Sequence, residues 1–253
     1  MLTFALDPYD NRTHIDETQS RLDYFCPYCG APLITKKGEI RRHHFSHKSG
    51  CACTDLWDRE YDMSDWLFLW QARFPKINQE IRLSLGKTCH RADVVIGRTV
   101  IELQKSPLRQ QSFNDRNVFY HDLGYKVVWL FDLREPFDAG QIREDAGESG
   151  VFVWDNPKRA FNAYDLDAGN IDLFFQLKDE GPGCIVKVGR ASLSGFESFE
   201  VVAVYDTDSF LGYVGLKDGV CAAPVANPSE TSRPRPRPCA RASRSCTGSA
   251  GNG

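Results

Sequence analysis

The sequence predicts an α/β protein in which a small metal-organised module precedes a mixed core, and three observations carry that expectation. Cys26 and Cys29 form a CxxC followed by closely spaced histidines, the spacing of a metal-held module. From residue 54 the hydrophobic periodicity reads helix, three strands, helix and strand in that order. Short β-like runs follow, and the end of the chain is dominated by Pro, Ser and Arg. The expected organisation is therefore a module over 1–53, a core over 54–135, a small β-rich C-terminal extension over 136–221 and a disordered tail over 222–253.

The composition is that of an ordinary globular protein, and no apolar run reaches the length of a membrane span. Met1 to Arg12 carries Asp7 and Asp10 and lacks the basic and apolar stretches of a secretory signal, so a cytoplasmic location is expected. Nine cysteines, an odd number, favour metal binding over a disulfide framework in that compartment. A net charge of −3 gives no global attraction to nucleic acid, so such binding must rest on local patches. One candidate patch holds Lys36, Lys37, Arg41, Arg42 and Lys48 against the single acid Glu39; it reads equally well as a solvated loop.

Within the core, aromatic and aliphatic residues recur at helical spacing from Thr54 to about Phe74, with Thr54 as a candidate N-cap, and Pro75 ends the run. Ile77 to Leu85 alternates as a half-buried strand. Arg91–Ile96 and Arg98–Gln104 flank Gly97, which suits the first central position of a type II′ hairpin turn. Ser112 and Asp115 resemble a capping box opening a helix to about His121, and Gly124 closes it. Tyr125–Phe131 is a compact apolar run, a buried central strand.

The hairpin carries the chemistry. With Gly97 and Arg98 at the turn, Asp93 stands across from Glu102, and Gln104 shares their face. Two facing carboxylates in a segment of Val, Ile and Leu repel each other unless something neutralises them. A divalent cation with hard oxygen ligands would do so, and magnesium or manganese fits better than zinc. The spacing equally allows two solvent-edge acids with His90 and Arg91 as counter-charges. In the first module, Cys26 and Cys29 with His44 and His47 supply four ligands for a structural zinc; His43 with His47 also fits, and Cys51 or Cys53 could replace a histidine.

The string His90, Arg91, Ala92, Asp93, Val94, Val95, Ile96, then Ile101, Glu102, Leu103, Gln104, Lys105, Ser106 resembles the central motif of CoiA-like nucleases, a competence branch of the PD-(D/E)XK superfamily. The resemblance covers roughly Tyr24 to Asp132 and implies a restriction endonuclease-like αβββαβ core with an N-terminal zinc-binding module. It implies a magnesium- or manganese-dependent deoxyribonuclease acting on DNA in uptake, recombination or defence, or else a catalytically silent DNA-binding accessory on the same scaffold. Asp93 and Glu102 would then bind the metal, and Gln104 stands where most of the superfamily has lysine, as in the CoiA-like pattern. Gln104 can position only by hydrogen bonds, and Lys105 points to the other face. Arg116 and Tyr120 match an RxxxY-like element, Arg116 for phosphate or carboxylate contact and Tyr120 for support; Arg91, Arg41 and Arg42 join them as expected DNA contacts. The first helix of the family supplies a further acid, here Asp65 or else Glu60, whereas Leu67 and Gln71 stand where a His and a Lys are expected. The HFxH signature, here His44, Phe45, Ser46 and His47, favours His44 over His43 at the zinc.

Overall fold

A computed structural model of the chain describes residues 2–27, 29–40, 42–47, 64–106, 108–155, 157, 171–192 and 195–225. These form two compact units, one within residues 1–62 and one within 63–232.

The first unit is a sheet of five short strands, β1 (Phe4–Leu6), β2 (Arg12–His14), β3 (Tyr24–Phe25), β4 (Pro32–Lys36) and β5 (His44–His47). They are ordered β2-β1-β3-β4-β5. Strands this short contain too few alternations to announce themselves in the sequence, so the sheet is a finding rather than an expectation. Its buried core consists of Leu2, Ala5, Ile15, Tyr24, Cys26, Leu33 and Phe45. A core of that size stabilises a fold only marginally, and such units ordinarily need a staple.

The second unit carries α1 (Asp65–Gln71), β6 (Gln79–Leu85), β7 (Thr88–Ile96), β8 (Thr99–Gln104), α2 (Gln110–Asp122) and β9 (Lys126–Asp132). After these come α3 (Arg134–Asp138), β10 (Ile142–Glu144), β11 (Val151–Trp154), β12 (Ile171–Gln176), β13 (Ile185–Ser192), β14 (Gly195–Tyr205) and α4 (Thr207–Tyr213). All nine strands form one sheet ordered β10-β11-β14-β13-β12-β9-β8-β7-β6. The strands expected as a C-terminal extension continue the central sheet: β12 pairs in parallel with β9, from Ile171 against Val127 to Gln176 against Asp132. Their apolar residues, including Leu173, Phe175, Val186 and Phe199, share a core with Phe113, Tyr120 and Trp129.

Several boundaries differ from expectation. The described part of the first helix is capped by Ser64, whose hydroxyl accepts the Leu67 N–H at 3.3 Å; Thr54 and Glu60 lie outside the described residues. The strand expected from Ile77 begins only at Gln79, because Lys76–Asn78 form a 3-10 turn. There the Asn78 amide donates to the Val95 carbonyl at 2.6 Å, fixing the turn to the neighbouring strand. Helix α2 starts at Gln110, so Ser112 and Asp115 lie inside it and cap nothing. The expected tail begins with bound backbone: Val225 N–H donates to Gly97 C=O at 3.1 Å, and the Ala222 carbonyl accepts from Asn78 at 2.9 Å.

Helix α2 covers one face of the sheet, where Phe113 and Trp129 rings lie 4.8 Å apart and the Trp129 indole donates to Asn117 at 2.8 Å. Helices α1 and α4 cover the other, with Trp70 and Phe174 both edge-on to Phe210. On that face the Gln176 side-chain oxygen accepts from both Trp66 and Trp70 indoles, at 2.7 and 2.9 Å. Its amide group donates in turn to the Lys178 carbonyl at 2.9 Å, so this buried amide is satisfied at both ends. Gln176→Leu leaves two buried indole N–H groups without an acceptor and is expected to cost roughly 2–5 kcal/mol, read by urea denaturation; a loss under about 0.5 kcal/mol would show the clasp to be dispensable.

Candidate functional site

The site grows from the β7–β8 hairpin. Gly97 takes φ 54° at the turn, a conformation glycine adopts without steric cost, as the expected type II′ turn requires at its first central residue. The register runs Ile96 with Thr99, Val95 with Val100 and Val94 with Ile101. One step further stand Asp93 and Glu102, both buried, at 6% and 1% exposure. The Asp93 carboxylate accepts the Leu103 N–H at 2.8 Å, and the Gln71 amide of α1 donates to the Asp93 carbonyl at 3.3 Å.

Glu102 is held from α2. Arg116 donates to one carboxylate oxygen at 2.9 Å, and the Tyr120 hydroxyl donates to the other. The two residues can do this together because four positions on a helix complete about one turn. The parallel crossover from β8 through α2 to β9, with Glu102 beside Trp129, lays that helix over the hairpin.

Burial, and then the charge of Glu102, pushes the Asp93 carboxyl up to about 7, against the Leu103 N–H and the Arg116 and Arg91 charges. The Glu102 carboxyl is also raised by burial, which outweighs Arg116 and the Tyr120 hydroxyl. Burial and the Glu102 charge keep the Tyr120 hydroxyl protonated, well above its ordinary range. His90 packs edge-on against Phe119 at 4.5 Å, and burial followed by the Arg116 charge pushes it down to about 4. His90 is therefore neutral at pH 7 and cannot be the counter-charge that a pair of solvent-edge acids would need. Neither acid lies at a solvent edge.

The remaining expected residues divide. Gln104 ends β8 with its amide donating to the Ser106 carbonyl at 2.5 Å. Arg91 is half-buried on β7, and its charge lowers both carboxyl pKa values. Asp65 sits exposed in the first turn of α1, while it is Gln71, at the other end of that helix, that reaches the hairpin. The contributions of Gln71 and the Leu103 amide were not legible, since a backbone donor and a helix-end amide leave no spacing signal.

A second group lies in the first unit. Ligand atoms of Cys26, Cys29 and His47 all fall within 4.8 Å of one another and could hold a metal ion. Cys29 Sγ lies 3.4 Å from His47 Nε2. The Gly30 N–H donates to the Cys26 carbonyl at 2.9 Å, closing the turn that brings the two cysteines together, and Gly30 takes φ 69° there. His44, expected as the fourth ligand, is not in the group: its Nδ1 is 2.8 Å from the Arg42 carbonyl. The reason is strand geometry, because residues three apart on β5 point to opposite faces. His43 pairs with Asp16 at 3.1 Å. Arg42 is half-buried beside this strand; Arg41, Cys51 and Cys53 lie outside the described residues.

Among known families, the model of the competence protein CoiA N-terminal domain matches residues 9–55. That of the CoiA nuclease-like domain matches residues 65–141, which contain the whole hairpin and α2. No curated protein and no solved structure matches the chain. A module with a Cys2His group, followed by a nuclease-like domain with a buried carboxylate pair, agrees with both family matches, and the chain belongs to the CoiA-like competence proteins, whose second domain is PD-(D/E)XK nuclease-like.

Proposed function

We propose that this protein is a metal-dependent nuclease that hydrolyses DNA phosphodiester bonds, using magnesium or manganese at Asp93 and Glu102. The observation that carries the reading is the buried pair itself. Two carboxylates at 6% and 1% exposure within a nuclease-like domain are costly unless a cation compensates them. Arg116 and Arg91 both oppose the cost of burying the two acids, yet both carboxyls remain raised, so the donor set retains a demand for positive charge that hard divalent ions meet. Each Glu102 oxygen accepts one hydrogen bond, and a carboxylate oxygen has two lone pairs, so coordination capacity remains. A bound divalent ion would supply Lewis-acid activation of the attacking water and charge stabilisation at the phosphate. Gln104 would orient that water by hydrogen bonding, and Arg91 and Arg116 would contact the phosphodiester.

In the first unit we assign zinc to Cys26, Cys29 and His47, since two thiolates and an imidazole suit that ion. The basic stretch containing Arg41 and Arg42 would meet DNA. The two family matches support a part in competence-related handling of incoming DNA, by uptake, recombination or defence. One observation favours the silent accessory as a second reading: the Gln104 amide is turned to the Ser106 carbonyl. Linear, circular and single-stranded DNA incubated with the protein in Mg2+, Mn2+ or EDTA distinguishes the two. Cutting that EDTA abolishes is expected; DNA binding with no cutting of any substrate would favour the accessory.

A further inference from the structure

We propose that Arg116 is a placeholder cation, which occupies Glu102 while the carboxylate pair lacks a divalent ion and passes to the DNA phosphodiester once one is bound. The inference rests on the metal-nuclease reading above.

The geometry points to it in three ways. Arg116 is within 2.9 Å of Glu102 Oε2, so its positive charge stands where it would oppose a divalent ion approaching that carboxylate. The Arg116 side chain is 16% exposed whereas that of Glu102 is 2% exposed, so Arg116 is the partner able to turn outward. Tyr120 holds the other carboxylate oxygen, so Glu102 stays oriented when Arg116 leaves.

Charge makes the exchange favourable. Asp93 and Glu102 together carry two negative charges when ionised, and a divalent ion cancels both. Arg116 then becomes a surplus cation beside a neutral cluster, partly desolvated and costly to leave there. A phosphodiester carries one negative charge, and its paired oxygens match the guanidinium fork. The guanidinium also lies 6.0 Å from the centre of the Trp129 ring, a weak contact that it can keep while its partner changes.

A residue that merely braces Glu102 and a residue that competes for it have opposite effects on metal binding. In full-length protein without DNA, followed by Mn2+ calorimetry, Arg116→Met is expected to bind Mn2+ roughly tenfold more tightly than wild type. Arg116→Lys, which keeps the charge, is expected to remain near wild type. If Arg116→Met does not fold, Arg116→Gln carries the same expectation, since it keeps a donor for Glu102 without the charge. Coupling provides the second readout. Ca2+ should tighten binding of a duplex oligonucleotide to wild type, and that enhancement should fall towards onefold in Arg116→Met. Unchanged or weaker Mn2+ binding in the uncharged variants, or retained Ca2+ coupling, overturns the placeholder role alone. Wild-type protein that binds no Mn2+, or binds it equally well as Asp93→Ala, overturns the metal-nuclease reading beneath it.

Discussion

Glu102→Ala is expected to abolish metal-dependent DNA cleavage, by at least about a thousandfold, because it removes both a ligand and the anchor of Arg116 and Tyr120. Asp93→Asn should lose activity to a similar extent, yet its effect on stability should have the opposite sign from that of an ordinary core substitution. The Asn side-chain oxygen can still accept the Leu103 N–H, and one of two buried like charges is gone. The pH dependence in EDTA follows. Asp93 is pushed up to about 7 by burial and by Glu102, so the folded state holds its proton more tightly than the unfolded chain, where an Asp titrates near about 4. The metal-free wild type is therefore most stable below about pH 4 as far as this group is concerned, and loses that contribution as pH rises towards 7. Asp93→Asn should melt a few degrees above wild type at pH 8 in EDTA, and its melting temperature should vary less between pH 5 and 7. A variant that melts below wild type at pH 8, or keeps normal cleavage, would refute the assignment of Asp93.

The second large effect is expected in the first unit. Its core is seven residues, one of them Cys26 itself. Structural zinc binding in small modules corresponds to an apparent folding free energy of about 10–16 kcal/mol, more than such a core supplies unaided. Cys26→Ala, or chelation of the wild type, should release the metal and open residues 1–62 to proteolysis while the melting transition of the second unit persists. The histidines give a sharper comparison by elemental analysis. His47→Ala should lose metal and His44→Ala should retain it, because only His47 lies with the two cysteines. The reverse pattern would show the group to be misassigned.

The candidate site was readable where chemistry and regular structure coincide. Gly97 sets the hairpin register, and from it the Asp93 and Glu102 juxtaposition follows by counting. Arg116 and Tyr120 sit one turn apart, so helical spacing implied their shared face; that this face meets Glu102 emerged only from the packing of α2 on the hairpin. Identity of residue type did not suffice where strand alternation intervened: His44 and His47 both belong to the HFxH string, but β5 sends them to opposite faces. The small five-stranded sheet left no pattern because its strands span two to five residues. The joining of β12 to β9 was equally hidden, since parallel pairing between distant segments depends on how the whole sheet closes rather than on any local signal.

The Gln176 clasp has a consequence for the order in which the protein can be made. Asp93, Glu102, Arg116 and Tyr120 all emerge from the ribosome within one short stretch, so the carboxylate cradle can assemble from near neighbours. Trp66 and Trp70, by contrast, wait for a partner 110 and 106 positions downstream. Until β12 is synthesised, two indoles and the flank of β9 remain exposed to solvent and to other nascent chains. The slow, aggregation-prone step in biogenesis is thus expected to be the arrival of the strand that closes the sheet, and a chain truncated before Ile171 should retain the cradle's residues but lack the means to stay soluble.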